Sequence, residues 1–204
     1  MTEELTRASY VADPDSYWER RGGRDYPKTL KKADIDAIPV QKMFLRNAVN
    51  RFQPRILMDF GCGTGKHFDI WRDIPTVVAY DRSQSMISVS RETQDHLRTG
   101  YSIVRGNSDH RDRLPFNGDQ FDMIVACEVF PHVLETDISS LIAEFSRILT
   151  KDGKIVAVVS PPDHNFQPHS YNHDYKKLFP DNGFRIMHDV TDAGYRFLMI
   201  DKEQ

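Results

Sequence analysis

Hydrophobic residues along the chain alternate between two rhythms, and the alternation predicts the fold. Short, mainly apolar runs, at 56–60, 76–80, 121–126 and, unbroken, at 155–159, read as buried strands, and between them lie longer stretches with apolar residues three and four apart. The clearest of these stretches carries Ile138, Leu141, Ile142, Phe145 and Leu149. A strand over 101–105 and two last strands at 184–190 and 195–200 complete the set, the final pair joined by the short link Thr191-Asp192-Ala193-Gly194. Alternating strands and helices predict a mostly parallel α/β sheet covered on both faces, seven-stranded and Rossmann-like, and the short final link makes the last strand antiparallel. Ser83 reads as the N-cap of a helix running to Leu97, and a short helix ends at Asn182-Gly183. Residues 1–53 form a helical preface, with a helix over 40–51 that places Met43, Phe44, Ala48 and Phe52 on its packed side, and 54–204 form the core. A helix is expected to start near Lys66, and Lys151-Asp152-Gly153-Lys154 reads as a turn.

The first strand runs into Asp59-Phe60-Gly61-Cys62-Gly63-Thr64-Gly65, and the second ends at Asp81. Glycines at that density let backbone N–H groups approach a ligand without a Cβ in the way. The spacing G-x-G-x-G differs from the G-x-G-x-x-G of dinucleotide binders, because Lys66 stands where a small residue closes the pyrophosphate turn. That argues against a nicotinamide cofactor.

This stretch, with Asp81, resembles the cofactor site of class I S-adenosylmethionine-dependent methyltransferases, whose first strand ends in D/E-x-G-x-G-x-G. The resemblance covers about residues 54–200 in motif order and implies S-adenosyl-L-methionine as cofactor. It implies that Asp81 binds the ribose hydroxyls, with a helix-start carboxylate as the alternative, and that Asp59 meets the methionine amino group. Gly61, Gly63 and Gly65 supply the close backbone, and Cys62, Arg82 and Glu128 join the cofactor set. In the run from Gly106 to Phe116, which keeps the family's Leu-Pro-Phe, Asp109 takes the adenine amino group, with Asn107 as its rival.

Cys127-Glu128-Val129-Phe130-Pro131-His132-Val133 resembles the E-V-L-x-H-V of small-molecule and quinone methyltransferases. His132 is the candidate general base, or else it orders the loop through the backbone. Some relatives bind a metal through a second glutamate where Pro131 stands, so no metal is expected there. Tyr17, Trp18 and Tyr26, among the arginines of 20–24, either fold over the cofactor as a lid or pin a solvated helix to the domain. His164, His169 and Tyr171, near His173, either line the acceptor pocket or decorate a loop. Ser160-Pro161-Pro162-Asp163 resembles the S/N/D-P-P-aromatic motif of DNA amino-methylating enzymes, but it follows the fifth strand and ends in Asp163, so DNA is not the expected acceptor.

Composition adds bounds. The 27 basic and 30 acidic residues leave a net charge of -3, which gives no general pull on nucleic acid or acidic membrane. Cys62 and Cys127, the two cysteines, fall at strand ends and suit a reducing cytosol. No run is long enough to span a membrane, and a cytoplasmic protein is expected. The reading is methyl transfer to an oxygen or nitrogen of a small-molecule acceptor. RNA or protein methylation is the second reading, drawing on the basic patch from Arg20 to Lys32, and a non-catalytic cofactor-binding domain is the third.

Overall fold

The computed structural model describes residues 13–30, 32–106, 113–160 and 170–203. Its centre is a seven-stranded sheet of order β3-β2-β1-β4-β5-β7-β6. The strands are β1 (Ile56–Phe60), β2 (Thr76–Asp81), β3 (Ser102–Arg105), β4 (Phe121–Cys127), β5 (Leu149–Val159), β6 (Phe184–Asp192) and β7 (Tyr195–Lys202). β1 to β5 pair in parallel, and β7 is antiparallel to both β5 and β6. The sequence reading of the sheet class and of the closing hairpin is borne out.

The period-2 geometry of the strands splits the core into two layers. Met58, Phe60, Ile124, Ala126, Ile155 and Ala157 face α4 (Ile138–Ile148) and α5 (Tyr175–Asp181). Leu57, Met123, Val125, Val156 and Val158 face the other way, against α2 (Lys32–Phe52) and the apolar side of α3 (Gln84–Leu97). On α4, Ile138, Leu141, Ile142 and Phe145 are buried as their spacing predicts, but the fifth buried position is Ile148, and Leu149 instead opens β5. Ser83 does cap α3, accepting the Met86 N–H. Both cysteines are free and buried, and no helix among the described residues is long and apolar enough to cross a membrane.

Three local expectations need correction. No regular helix begins at Lys66. The side chains of His67, Ile70, Trp71 and Ile74 are buried at helical spacing, but the backbone closes i→i+3 bonds at Gly65–Phe68, His67–Ile70 and Trp71–Ile74. Gly65, at φ +80°, and Pro75 bound the segment. α2 starts eight residues earlier than expected and carries Pro39 inside it. Its buried line is Ala37, Gln41, Leu45 and Ala48, whereas Met43 is 56% exposed, so packing along that line outweighs the hydrogen bond lost at Pro39. Lys151 to Lys154 is not a turn but part of β5, whose pairing shifts register between Phe121↔Leu149 and Met123↔Lys154. A bulge absorbs the polar residues there without ending the strand.

α1 (Pro14–Arg21) lies across the beginning of α3. Glu19 accepts the backbone N–H groups of Gln84 and Ser85, the latter at 2.9 Å, so its carboxylate sits at the positive end of α3. Arg24 grips Glu92 of α3 through Nε and Nη2. These contacts place the preface over the carboxyl ends of β1 and β2.

Candidate active site

Beyond the carboxyl ends of β1, β2 and β4 lies a cavity, where ligands bind in open parallel sheets. Its floor is the glycine turn. Gly61 and Gly63 both have positive φ, +71° and +55°, and a Cβ on Gly63 would meet nothing within 4 Å, so its backbone borders open space. A Cβ on Gly61 would stand 2.4 Å from Val129 Cγ2, which fixes glycine there on two counts. Gly65 does not line the cavity; a Cβ on it would press on the Phe68 ring at 2.8 Å.

Asp81 closes one side. Its Oδ2 accepts the Gly63 N–H at 2.8 Å and its Oδ1 accepts the Ser83 N–H at 2.9 Å, so one carboxylate ties the glycine turn to the start of α3. Burial raises its pKa, and those two N–H groups work in the opposite direction. Each oxygen keeps a lone pair for a ligand hydroxyl. Asp59, by contrast, is not on the cavity wall: it is 2% exposed and its Oδ2 accepts Trp71 Nε1 at 2.9 Å. Burial pushes its carboxyl up to about 6, against that bond and the charge of Lys66.

The opposite wall is Cys127, Glu128, Val129 and His132. Glu128 adopts the left-handed conformation, φ +59°, a region that costs a non-glycine residue about 1–3 kcal/mol. Its Oε1 is buried with no hydrogen-bond partner among the described residues, a further cost of about 1–3 kcal/mol. Burial pushes its carboxyl up to about 7, with Lys66 and the Ser160 hydroxyl working against the shift. His132 ends a 3₁₀ turn over Phe130–His132 and meets the Trp18 ring edge-on at 5.1 Å. That turn is held from behind by His173, whose Nε2 lies 2.9 Å from the Phe130 carbonyl and 3.1 Å from that of Val133. His173 is therefore a buried tie, and burial holds its pKa below the usual range.

The roof comes from the preface: Trp18, Arg21, Tyr26, Leu30, Asp34 and Gln41. Tyr17, a candidate with Trp18 for the lid, is turned away and fully buried, its hydroxyl accepting from Arg21 Nη1 at 2.7 Å. Tyr171 packs with it in a small separate cluster rather than on the cavity wall. Asp109, Asn107, His164 and His169 lie outside the described residues. Arg82 and Cys62 do line the cavity. Burial raises the Cys62 thiol well above its ordinary pKa, so it presents a neutral group.

Several wall residues were not singled out from sequence. Lys66 donates to Gln41 Oε1 at 3.3 Å, and Tyr195 donates to Asp34 Oδ1 at 2.8 Å. For Lys66 burial disfavours the charge, but surrounding negative groups, Glu128 and Asp59 among them, raise its pKa on balance. One signal was legible: Gln41 is a polar residue on an otherwise apolar helix line. Among the described residues no group of three or more His, Cys, Asp or Glu side chains is placed to hold a metal ion.

A site with an open glycine turn, a carboxylate at the end of β2 and an aromatic, carboxylate-bearing far wall fits a cofactor that combines a ribose diol with an amino acid head. The sheet order defines the class I methyltransferase fold. Solved structures similar to the chain include the PH0226 protein of Pyrococcus horikoshii OT3, with 16% identity and a TM-score of 0.70 over 90% of this chain and 100% of that one. An S-adenosylmethionine-dependent methyltransferase of Clostridium acetobutylicum ATCC 824 has 13% identity and a TM-score of 0.69, covering 80% and 91%. The YcgJ protein of Bacillus subtilis has 14% identity and a TM-score of 0.65, covering 79% and 99%. No curated protein matches the sequence. Residues 58–157 match the family model described as a methyltransferase domain. The chain therefore carries a methyltransferase domain with the class I fold.

Proposed function

We propose that the protein transfers the methyl group of S-adenosylmethionine to an oxygen or nitrogen of a small molecule, with residues 1–53 acting as a lid on a core that begins at 54. The observation that carries this reading is the roof. Trp18, Tyr26 and Asp34 line the cavity above the glycine turn, and a partly enclosed cavity suits a small acceptor better than a polymer. The bound cofactor supplies an electrophilic methyl on a sulfonium. Asp81 holds the ribose hydroxyls with its remaining lone pairs, and the Gly61–Gly63 backbone lets the head group approach. Trp18, Tyr26 and Tyr195 give the acceptor flat apolar walls, which exclude water and align it for in-line attack.

RNA or protein methylation draws less support. Arg24, Lys28 and Lys32 of the basic patch each face a carboxylate, of Glu92, Asp25 and Asp36, at 2.7, 2.6 and 2.5 Å. Incubation with cofactor carrying a labelled methyl and a whole-cell extract tests the choice. Label in the fraction below 3 kDa is the expected result, and label in RNA or protein contradicts it. Binding without any S-adenosylhomocysteine formed would return the chain to a non-catalytic role.

A further inference from the structure

On the wall opposite Asp81, the groups that can take a proton from an acceptor are His132 and Glu128. We propose that Glu128 is the base, and that the acceptor is a neutral O–H or N–H compound rather than a carboxylate. The inference rests on the methyltransferase reading above and moves Glu128 from the cofactor to the acceptor.

Glu128 follows the last residue of β4, and its left-handed backbone turns the chain at the cavity wall. Its Oε1 is buried and unpartnered among the described residues, although donors stand close by. Lys66 donates to Gln41, and the Tyr195 hydroxyl donates to Asp34. A buried acceptor left open on a cavity wall is complete when a ligand donates to it. An O–H or N–H acceptor does so. A carboxylate acceptor has no proton to give and would meet Glu128 and Asp34 as like charges.

Groups from every neighbouring element face this carboxyl: Lys66 after β1, Asp34 on α2, Tyr26 in the roof, Ser160 at the end of β5, Tyr175 on α5, Tyr195 on β7 and adjacent Cys127. Lys66 is the one cation among them and keeps the carboxylate available near neutral pH, where burial alone would leave it protonated. In the reaction the acceptor's lone pair forms the bond to the methyl carbon. The carbon–sulfur bond breaks with its pair left on sulfur, which cancels the sulfonium charge, and the acceptor's proton passes to Glu128 and then to solvent.

The test compares wild type with Glu128→Gln, which keeps the shape of the side chain. S-adenosylhomocysteine titrated calorimetrically should bind both within threefold, and a tenfold loss would make Glu128 a cofactor ligand and overturn the proposal. Infrared difference spectra of the two proteins across pH 4–9 should show one carboxyl titrating near neutrality. Ionisation in the ordinary carboxylate range would remove the base. With labelled cofactor and a cell extract below 3 kDa, wild-type transfer should fall about a hundredfold or more in Glu128→Gln and lose its rising pH limb. Undiminished transfer refutes the proposal. If wild type labels nothing in that extract, the small-molecule reading fails, while the binding and infrared arms still decide the place of Glu128.

Discussion

Replacing Asp81 with alanine is the perturbation whose size follows most directly from the structure. The wild-type carboxylate accepts one backbone N–H on each oxygen, from Gly63 at 2.8 Å and Ser83 at 2.9 Å. Hydrogen bonds to a charged group contribute about 1.5–3 kcal/mol each. Removing the carboxylate releases the glycine turn from α3 and removes the acceptor for the ribose hydroxyls. Even if a single such bond to the cofactor is lost at the low end of that range, affinity falls by more than a factor of about ten, since ~1.4 kcal/mol is tenfold. The assay is calorimetric titration with S-adenosylhomocysteine at pH 7.5, with the melting temperature followed to separate lost binding from lost fold. A variant that stays folded and binds like wild type would refute the assignment. Asp81→Asn should fall between the two, because it keeps one acceptor oxygen and loses the charge.

Gly61→Ala places a methyl 2.4 Å from Val129 Cγ2 at φ +71°, so it should destabilise the protein by about 1–3 kcal/mol and weaken the cofactor at least tenfold, read by denaturant unfolding and calorimetry. Glu19→Ala unties α1 from the start of α3 and should speed S-adenosylhomocysteine release by roughly tenfold in stopped flow, the equivalent of one charged hydrogen bond; an unchanged rate would mean that α1 is no lid. Glu128→Gln makes a pH prediction. The Glu128 carboxyl is raised from 4.5 to about 7 in the fold, so the folded state binds its proton more tightly, and the stability this contributes is full below about 4.5 and lost as pH rises through about 7. The glutamine variant should therefore gain stability over wild type at pH 8, by at most ~3 kcal/mol, and little at pH 5, as melting temperatures at the two pH values will show.

The sheet and its order of elements were legible because each rests on local pattern: β-branched runs for strands, a three-and-four spacing for α4, a serine cap for α3. The glycine turn and Asp81 were legible because few residue types can occupy those places. What escaped was set by distant partners. Asp59 reads as a site residue from its motif, but Trp71, twelve positions later, claims its oxygen from behind the wall. Tyr17 and Trp18 are neighbours in sequence and face opposite ways, one under Arg21 and one onto His132. His173 belonged to a histidine-rich stretch with several uses, and two carbonyls forty-three and forty residues away decide its role. Tyr195 and Asp34 meet across 161 residues, a pairing that no spacing rule reaches.

The central claim is that the cavity over the glycine turn binds S-adenosylmethionine. Calorimetric titration of the purified protein with S-adenosylmethionine, S-adenosylhomocysteine and NAD, each separately, tests it most directly. The account predicts one site per chain with micromolar affinity for the first two and no heat with NAD. NAD binding alone, or no binding by any of the three, would contradict it.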